Sequence, residues 1–173
     1  NTALEHQVAQ RTEELTRINQ QLVVQNSMLE TLSVTDRLTG LYNRLRLDQT
    51  LEEELHRHQR YGVPFALILL DVDFFKRISD RYGHNMGDVA IKQLVQVISG
   101  RIRAVDTLCR FGGEEFVVLL RETGIDSAAR IAEELRRLVE SAKILPEGSM
   151  TISIGVAEVI AAENLEHWFK LAD

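Results

Sequence analysis

Glu114 and Glu115 follow Gly112-Gly113 between two largely apolar runs, Leu108 to Phe111, interrupted by Arg110, and Phe116 to Leu120. Adjacent glycines in that setting predict a tight hairpin, because glycine takes φ > 0 without steric cost. Two neighbouring acids on the tip repel each other and add nothing to stability. Such a tip suits a site where a divalent cation and a phosphate approach bare backbone. Taken alone, an ordinary solvated turn explains it as well. A second acidic cluster weakens that alternative: Asp71 and Asp73 close the apolar run Phe65 to Leu70, which follows Gly62-Val63-Pro64. A short run so bounded reads as a central strand buried on both faces. Period two sends Asp71 and Asp73 to one side of its C-terminal end, where open α/β sheets usually bind ligands. Downstream, Phe74-Phe75-Lys76 and Gly83-His84-Asn85-Met86-Gly87-Asp88 supply a lysine, two glycines and a further aspartate. These are parts suited to a nucleotide-phosphate site.

The elements that must position these residues follow from pattern. Helices are expected from about Leu47 to Tyr61, Gly87 to Arg103 and Ser127 to Ser141, with another opening near Asn164. Strands are expected at 65–71, in a hairpin over 107–120, and at 150–159. Strands and helices alternating around one hairpin predict an α/β sandwich of the palm or ferredoxin-like kind. Trp168 is read as a core anchor on the last helix. Residues 3–34 contain no Gly or Pro, and apolar residues recur in steps of four and three. With Val8, Leu15, Leu22 and Leu29 at a, the d positions are Leu4, Arg11, Ile18, Gln25 and Leu32. That narrow stripe predicts a left-handed parallel coiled coil over residues 1–35, with a single amphipathic helix packed on its own domain as the alternative. Arg11 and Gln25 in the seam weaken it, as a stalk that shifts register requires and as an imperfect constitutive dimer also would. Thr39-Gly40 supplies a turn before the domain that begins at Asp36.

The chain has 173 residues and a formal net charge of −6, enough for one well-buried domain plus an extension. The acidic balance argues against general nucleic-acid or anionic-membrane binding, so a polyanionic ligand would require local cations. The single cysteine, Cys109, excludes an internal disulfide and fits a reducing cytosol. Neither a membrane span nor a signal peptide is visible, although a membrane sensor outside this segment stays open. The absence of an initial Met and the abrupt end are read as marks of a piece of a longer protein, truncated at the C-terminus.

Six motifs, in order and in spacing, resemble the GGDEF-domain diguanylate cyclases. They are Asp36-Arg-Leu-Thr-Gly-Leu-Tyr-Asn-Arg44, Asp71-Val-Asp-Phe-Phe-Lys76, Gly83-His-x-x-Gly-Asp88, Arg110-Phe-Gly-Gly-Glu-Glu-Phe116, Ser153-Ile-Gly-Val-Ala157 and Ala172-Asp173. The resemblance runs from Asp36 to the end of the chain. It implies a central five-stranded sheet flanked by helices, and condensation of two GTP molecules into the cyclic dinucleotide cyclic di-GMP with release of two pyrophosphates. The enzyme so implied depends on Mg²⁺, with Mn²⁺ as an alternative, and works as a homodimer. An upstream sensory domain is expected as well.

Residue by residue, the resemblance makes Asp71, Glu114 and the Val72 carbonyl the metal ligands. Glu115 assists removal of the 3′-hydroxyl proton, and Lys76 contacts phosphate. Asp73 is either a supporting group or plain surface. Phe75, Ser79, His84, Asp88 and Gly113 belong to the nucleotide site, with Asp88 reading guanine. Ser79 departs from the family, which places asparagine there; a short hydroxyl weakens recognition of the base on the order of five- to tenfold. The resemblance places a Lys and an Arg beyond Ala-Asp, outside this sequence. Arg103 and Asp106 match an Arg-x-x-Asp motif at which product binds and inhibits; the plainer reading is an ion pair at a helix end. A catalytically weak or silent domain that binds GTP or cyclic di-GMP is the rival reading. The three acids Asp71, Glu114 and Glu115 argue against it, and Ser79 argues for it.

Overall fold

The computed structural model describes residues 2–32 and 34–159. The expected helix near Asn164, Trp168 and the terminal Ala172-Asp173 lie outside the described residues. The chain divides at Val34/Thr35 into two compact units. The first holds one helix, α1 (Thr2–Leu32), on which Leu4, Val8, Leu15, Ile18, Leu22 and Leu29 are all exposed.

The second unit is an antiparallel sheet with helices on both faces. Its elements run α2 (Arg44–Tyr61), β1 (Phe65–Val72), α3 (Phe75–Tyr82), α4 (His84–Ser99), β2 (Thr107–Arg110), β3 (Glu115–Arg121), α5 (Ile125–Ser141) and β4 (Ile152–Glu158). The described strands lie in the order β2-β3-β1-β4, so the sheet has four described strands where the resemblance implies five. β1 is central, and its alternation decides both cores. Ala66, Ile68, Leu70 and Val72 pack with Ile91 and Leu94 of α4 and Leu135 of α5. Phe65 and Leu67 pack with Leu47 and Leu51 of α2. A strand between two apolar layers must be apolar throughout, which is why its run is unbroken until Asp71.

Three expectations require correction. The helix expected from Gly87 begins at His84 and ends at Ser99, and a separate helix, α3, precedes it. Gly83, at φ 85°, makes the break between them. Gly112 and Gly113 are not among the glycines at positive φ, so the hairpin does not use their left-handed freedom. Gly112 is needed for closeness instead: a β-carbon there would overlap the Glu115 carboxylate. Finally, the sheet is antiparallel, so the rule for parallel sheets is not what puts ligands at the end of β1. In an antiparallel pair the C-terminal end of one strand meets the N-terminal end of the next. The end of β1 therefore faces the start of β3, directly at the hairpin tip.

Candidate active site

Pairing of β1 with β3 sets Asp71 directly opposite Glu115. One residue on, the Val72 N–H donates to the Glu114 carbonyl at 3.2 Å. The two acidic clusters read from sequence thus become one site, sharing a ladder that the apolar pairs Leu69–Val117 and Leu67–Leu119 hold in register. Asp71 and Glu115 are exposed, while Val72 is buried. Because Asp71 lies at even spacing from Phe65 and Leu67, its side chain belongs to the α2 face of the sheet. A cavity of about 400 Å³ opens there, lined by Leu69, Asp71, Phe111, Glu115, Ser153 and Gly155.

At the hairpin, the N–H groups of Phe111 and Gly112 donate to the Glu115 carbonyl at 2.8 and 3.2 Å. The Glu115 side chain lies against Gly112, whereas at Gly113 a β-carbon would meet nothing within 4 Å. The second glycine therefore borders open space. Asp71, Glu114 and the Val72 carbonyl are all oxygen donors, the kind that suits a hard divalent cation completed by phosphate and water. Among the described residues no group of three or more His, Cys, Asp or Glu side chains converges on a metal-sized point.

Asp73 lies past the end of β1 and is tied to β4. Its N–H donates to the Thr151 carbonyl at 3.0 Å, and its Oδ1 accepts from Ser153 Oγ at 2.6 Å. Ser153 is in register with Asp71, so its hydroxyl lies on the Asp71 side of the sheet and holds the next acid along. Nothing local in the sequence assigns Ser153 this task, because the pairing of β1 with β4 is a long-range fact.

Phe74, between the acids and α3, takes φ 55° with its ring exposed, and no side chain caps the helix start that follows. Such a backbone costs a non-glycine residue on the order of 1 kcal/mol and marks a turn held for a purpose. α3 and α4 then meet at Gly87, where a β-carbon would lie 2.9 Å from Ser79 Oγ and 3.3 Å from the Phe75 ring. The structure thus brings Phe75, Ser79 and Gly87 together beside Asp88. Lys76, His84 and Asp88 are exposed around that corner.

Arg103 and Asp106 lie at the other end of the β2–β3 ladder from the acids. The guanidinium grips Asp106 with one edge, Nε to Oδ2 at 3.1 Å and Nη2 to Oδ1 at 2.9 Å. The Asp106 side chain is 1% exposed and also accepts from the Arg103 and Arg121 N–H groups. Arg103 Nη2 reaches the Arg121 carbonyl and Thr123 Oγ1 as well. Its hydrogen bonds to Asp106 raise the Arg103 pKa further above its ordinary value. The plainer expectation, an i,i+3 ion pair, is what this conformation contains. A purine edge reaches Asp106 only if the pair opens. Cys109 is a fully buried core residue whose thiol burial pushes up to about 12, so it carries no chemistry here.

A family model described as the GGDEF domain of diguanylate cyclases matches residues 33–173. The response regulator PleD of Caulobacter vibrioides is 40% identical over 148 residues, which cover 82% of this chain and 33% of PleD. The diguanylate cyclase DgcP of Pseudomonas aeruginosa is 40% identical over 144 residues, covering 82% of this chain and 22% of DgcP. The chain thus spans a third or less of the length of these two relatives. Among solved structures, the coiled coil and GGDEF domain of DgcB from Caulobacter crescentus, in complex with cyclic di-GMP, superimposes with a TM-score of 0.76. It is 29% identical, and the match covers 98% of this chain and 90% of that one.

Proposed function

The chain belongs to the GGDEF-domain diguanylate cyclase family, and from that premise we propose that it joins two GTP molecules into cyclic di-GMP on a site shared by two copies. The carrying observation is the registered pair Asp71–Glu115 beside the Val72–Glu114 backbone bond. In each of two steps a 3′-hydroxyl oxygen attacks the α-phosphorus of the opposite nucleotide. A new P–O bond forms, the bond to pyrophosphate breaks, and the hydroxyl proton leaves. Glu115 is the group that takes this proton, directly or through bound water.

Asp71, Glu114 and the Val72 carbonyl would hold Mg²⁺, or Mn²⁺, and such a cation would supply charge neutralisation at the phosphates and the departing pyrophosphate. Lys76 adds a second positive charge for phosphate, and Gly113 leaves room for it. Ser79 and Asp88 face the guanine edge, with Phe75, His84 and Gly87 forming the rest of that corner. One domain binds one GTP, so two must meet; α1 pairs with its copy in a parallel coiled coil to bring this about. Arg103 and Asp106 form the second site, at which product binds once their own ion pair opens. The coiled-coil segment covers residues 1–35 and the cyclase domain begins at Asp36. A sensory domain upstream supplies the input.

The test is incubation of the protein with GTP and Mg²⁺. Chromatography should show cyclic di-GMP and pyrophosphate. Glu115→Gln should lower turnover by about 10²-fold or more with the melting temperature unchanged. Tight GTP binding without product would instead favour a receptor.

A further inference from the structure

Arg110 ends β2, immediately before the hairpin, and its side chain is 14% exposed. The guanidinium spends one edge on the hairpin itself. Nε and Nη2 donate to the Gly113 carbonyl at 3.2 and 2.7 Å. The remaining nitrogen, Nη1, donates to both oxygens of Asp36 at 3.1 and 3.3 Å. Asp36 is itself immobilised by its own turn. Its Oδ1 accepts from the Thr39 N–H at 2.9 Å and Thr39 Oγ1 at 2.6 Å, and its N–H donates to the Leu41 carbonyl at 2.7 Å. Backbone bonding fastens the same segment to β2, with the Arg110 N–H donating to the Tyr42 carbonyl at 2.9 Å.

Gly113 is the residue before Glu114. Because the peptide unit is planar, fixing the Gly113 carbonyl also fixes the direction of the Glu114 N–H and the Glu114 Cα. The next carbonyl, that of Glu114, is held by the Val72 N–H. Glu114 is therefore pinned through the carbonyl on either side of it, one by the strand that carries Asp71 and one by Arg110. Gly113 has no side chain, and a β-carbon there would meet nothing within 4 Å.

We infer that Arg110, locked by Asp36, is a positioning residue that sets the Gly113–Glu114 peptide and thereby aims Glu114 for metal and phosphate. This inference rests on the function proposed above. Only arginine can serve, since a lysine ammonium cannot present a planar fork to a carbonyl and a carboxylate at once.

The experiment compares wild type with Arg110→Lys, Asp36→Asn and the exchanged pair Asp36→Arg/Arg110→Asp, measuring melting temperature, kcat, KM for GTP and the Mg²⁺ concentration for half-maximal rate. The exchanged pair restores the ion pair but leaves no donor for the Gly113 carbonyl. Its melting temperature should recover towards wild type, while kcat stays about tenfold or more down, KM changes little and the Mg²⁺ requirement rises. Recovery of turnover together with melting temperature would overturn the inference and leave a purely structural ion pair. If the exchanged pair does not fold, Arg110→Lys decides alone: wild-type kcat and Mg²⁺ requirement there would overturn it equally. Should wild type make no cyclic di-GMP at all, the proposed function fails by itself. The positioning role is then read from Mg²⁺-dependent binding of a fluorescent N-methylanthraniloyl GTP, which Arg110→Lys should weaken and which, if unchanged, counts against the inference.

Discussion

The two hairpin glycines have the same chemistry and different reasons for being glycine. Neither is at positive φ, so alanine strains the backbone at neither position. At Gly112 an added methyl displaces the Glu115 carboxylate, and at Gly113 it enters empty space. Gly112→Ala should therefore cost at least about tenfold in turnover, since a misplacement of about 1 Å in a catalytic group is enough for that. Gly113→Ala should leave stability within about 0.5 kcal/mol of wild type while raising KM for GTP, because its methyl would stand where phosphate is proposed to approach. Melting curves and steady-state kinetics on the pair separate the two roles. Asp36 allows a pH test at the same scale. Burial pushes its carboxyl up, but hydrogen bonds from Thr39 and Arg110 outweigh that and hold it below the ordinary carboxylate value. A carboxyl lowered on folding stabilises the fold above its unfolded pKa, near about 3.9, and loses that contribution as pH falls through the folded value. Wild type should thus lose melting temperature below about pH 4 more steeply than Asp36→Asn, with the gap widest near neutrality and closing in acid.

Among the elements, the α3–α4 corner gives the sharpest contrast between propensity and packing. Gly87 lies inside α4 and is buried. By helix propensity alone, Gly87→Ala gains about 1 kcal/mol. The new β-carbon, however, meets Ser79 Oγ at 2.9 Å and the Phe75 ring at 3.3 Å. Ser79 must turn its hydroxyl away and Phe75 must shift, at a cost of similar size. Melting temperature should stay close to wild type while KM for GTP rises, because the displaced hydroxyl is the one proposed to face the base. Much of this architecture is legible in the sequence, for reasons that differ by element. β1 is readable because an unbroken apolar run of strand length, bounded by Gly62 and Pro64, suits a central strand and little else. The hairpin is readable from Gly112-Gly113, but not the physical cause of those glycines. Their left-handed freedom goes unused, and the closeness of Gly112 to Glu115 is a contact no local pattern encodes. α3 escapes a pattern reading because its eight residues, Phe75–Tyr82, carry one buried side chain, Ile78, and start from a strained Phe74 with no capping residue. The bonds of Asp73 to Ser153 and Thr151, and of Arg110 to Asp36, join residues far apart in sequence, which a single sequence cannot announce. The pairing of Arg103 with Asp106 is legible from their spacing, but their mutual grip depends on burial of Asp106, which only the fold supplies.

At the scale of the whole molecule, the proposed condensation needs two GTP molecules on two domains, so two copies must meet. Untethered domains meet in a second-order step, and specific activity then rises with protein concentration. A tether replaces that step with an effective concentration reaching the millimolar range for short links, far above the micromolar protein in an assay. α1 is the segment able to supply it. Leu15 and Leu22 sit at a positions in its centre, exposed at 62% and 50% in the single chain, and a partner helix would cover them. Burying one leucine side chain is worth about 1.5–3 kcal/mol, and placing an aspartate there instead leaves a charge in the seam of both chains. The double variant Leu15→Asp/Leu22→Asp should therefore run as a monomer in sedimentation at concentrations where wild type is a dimer. Its cyclase domain, a separate compact unit, should keep its own melting transition. Specific activity of the variant should fall in proportion as the protein is diluted and recover when it is concentrated, whereas that of wild type should stay flat over the same range. A variant that remains dimeric, or a monomer whose specific activity is independent of concentration, would show that α1 does not bring the two sites together.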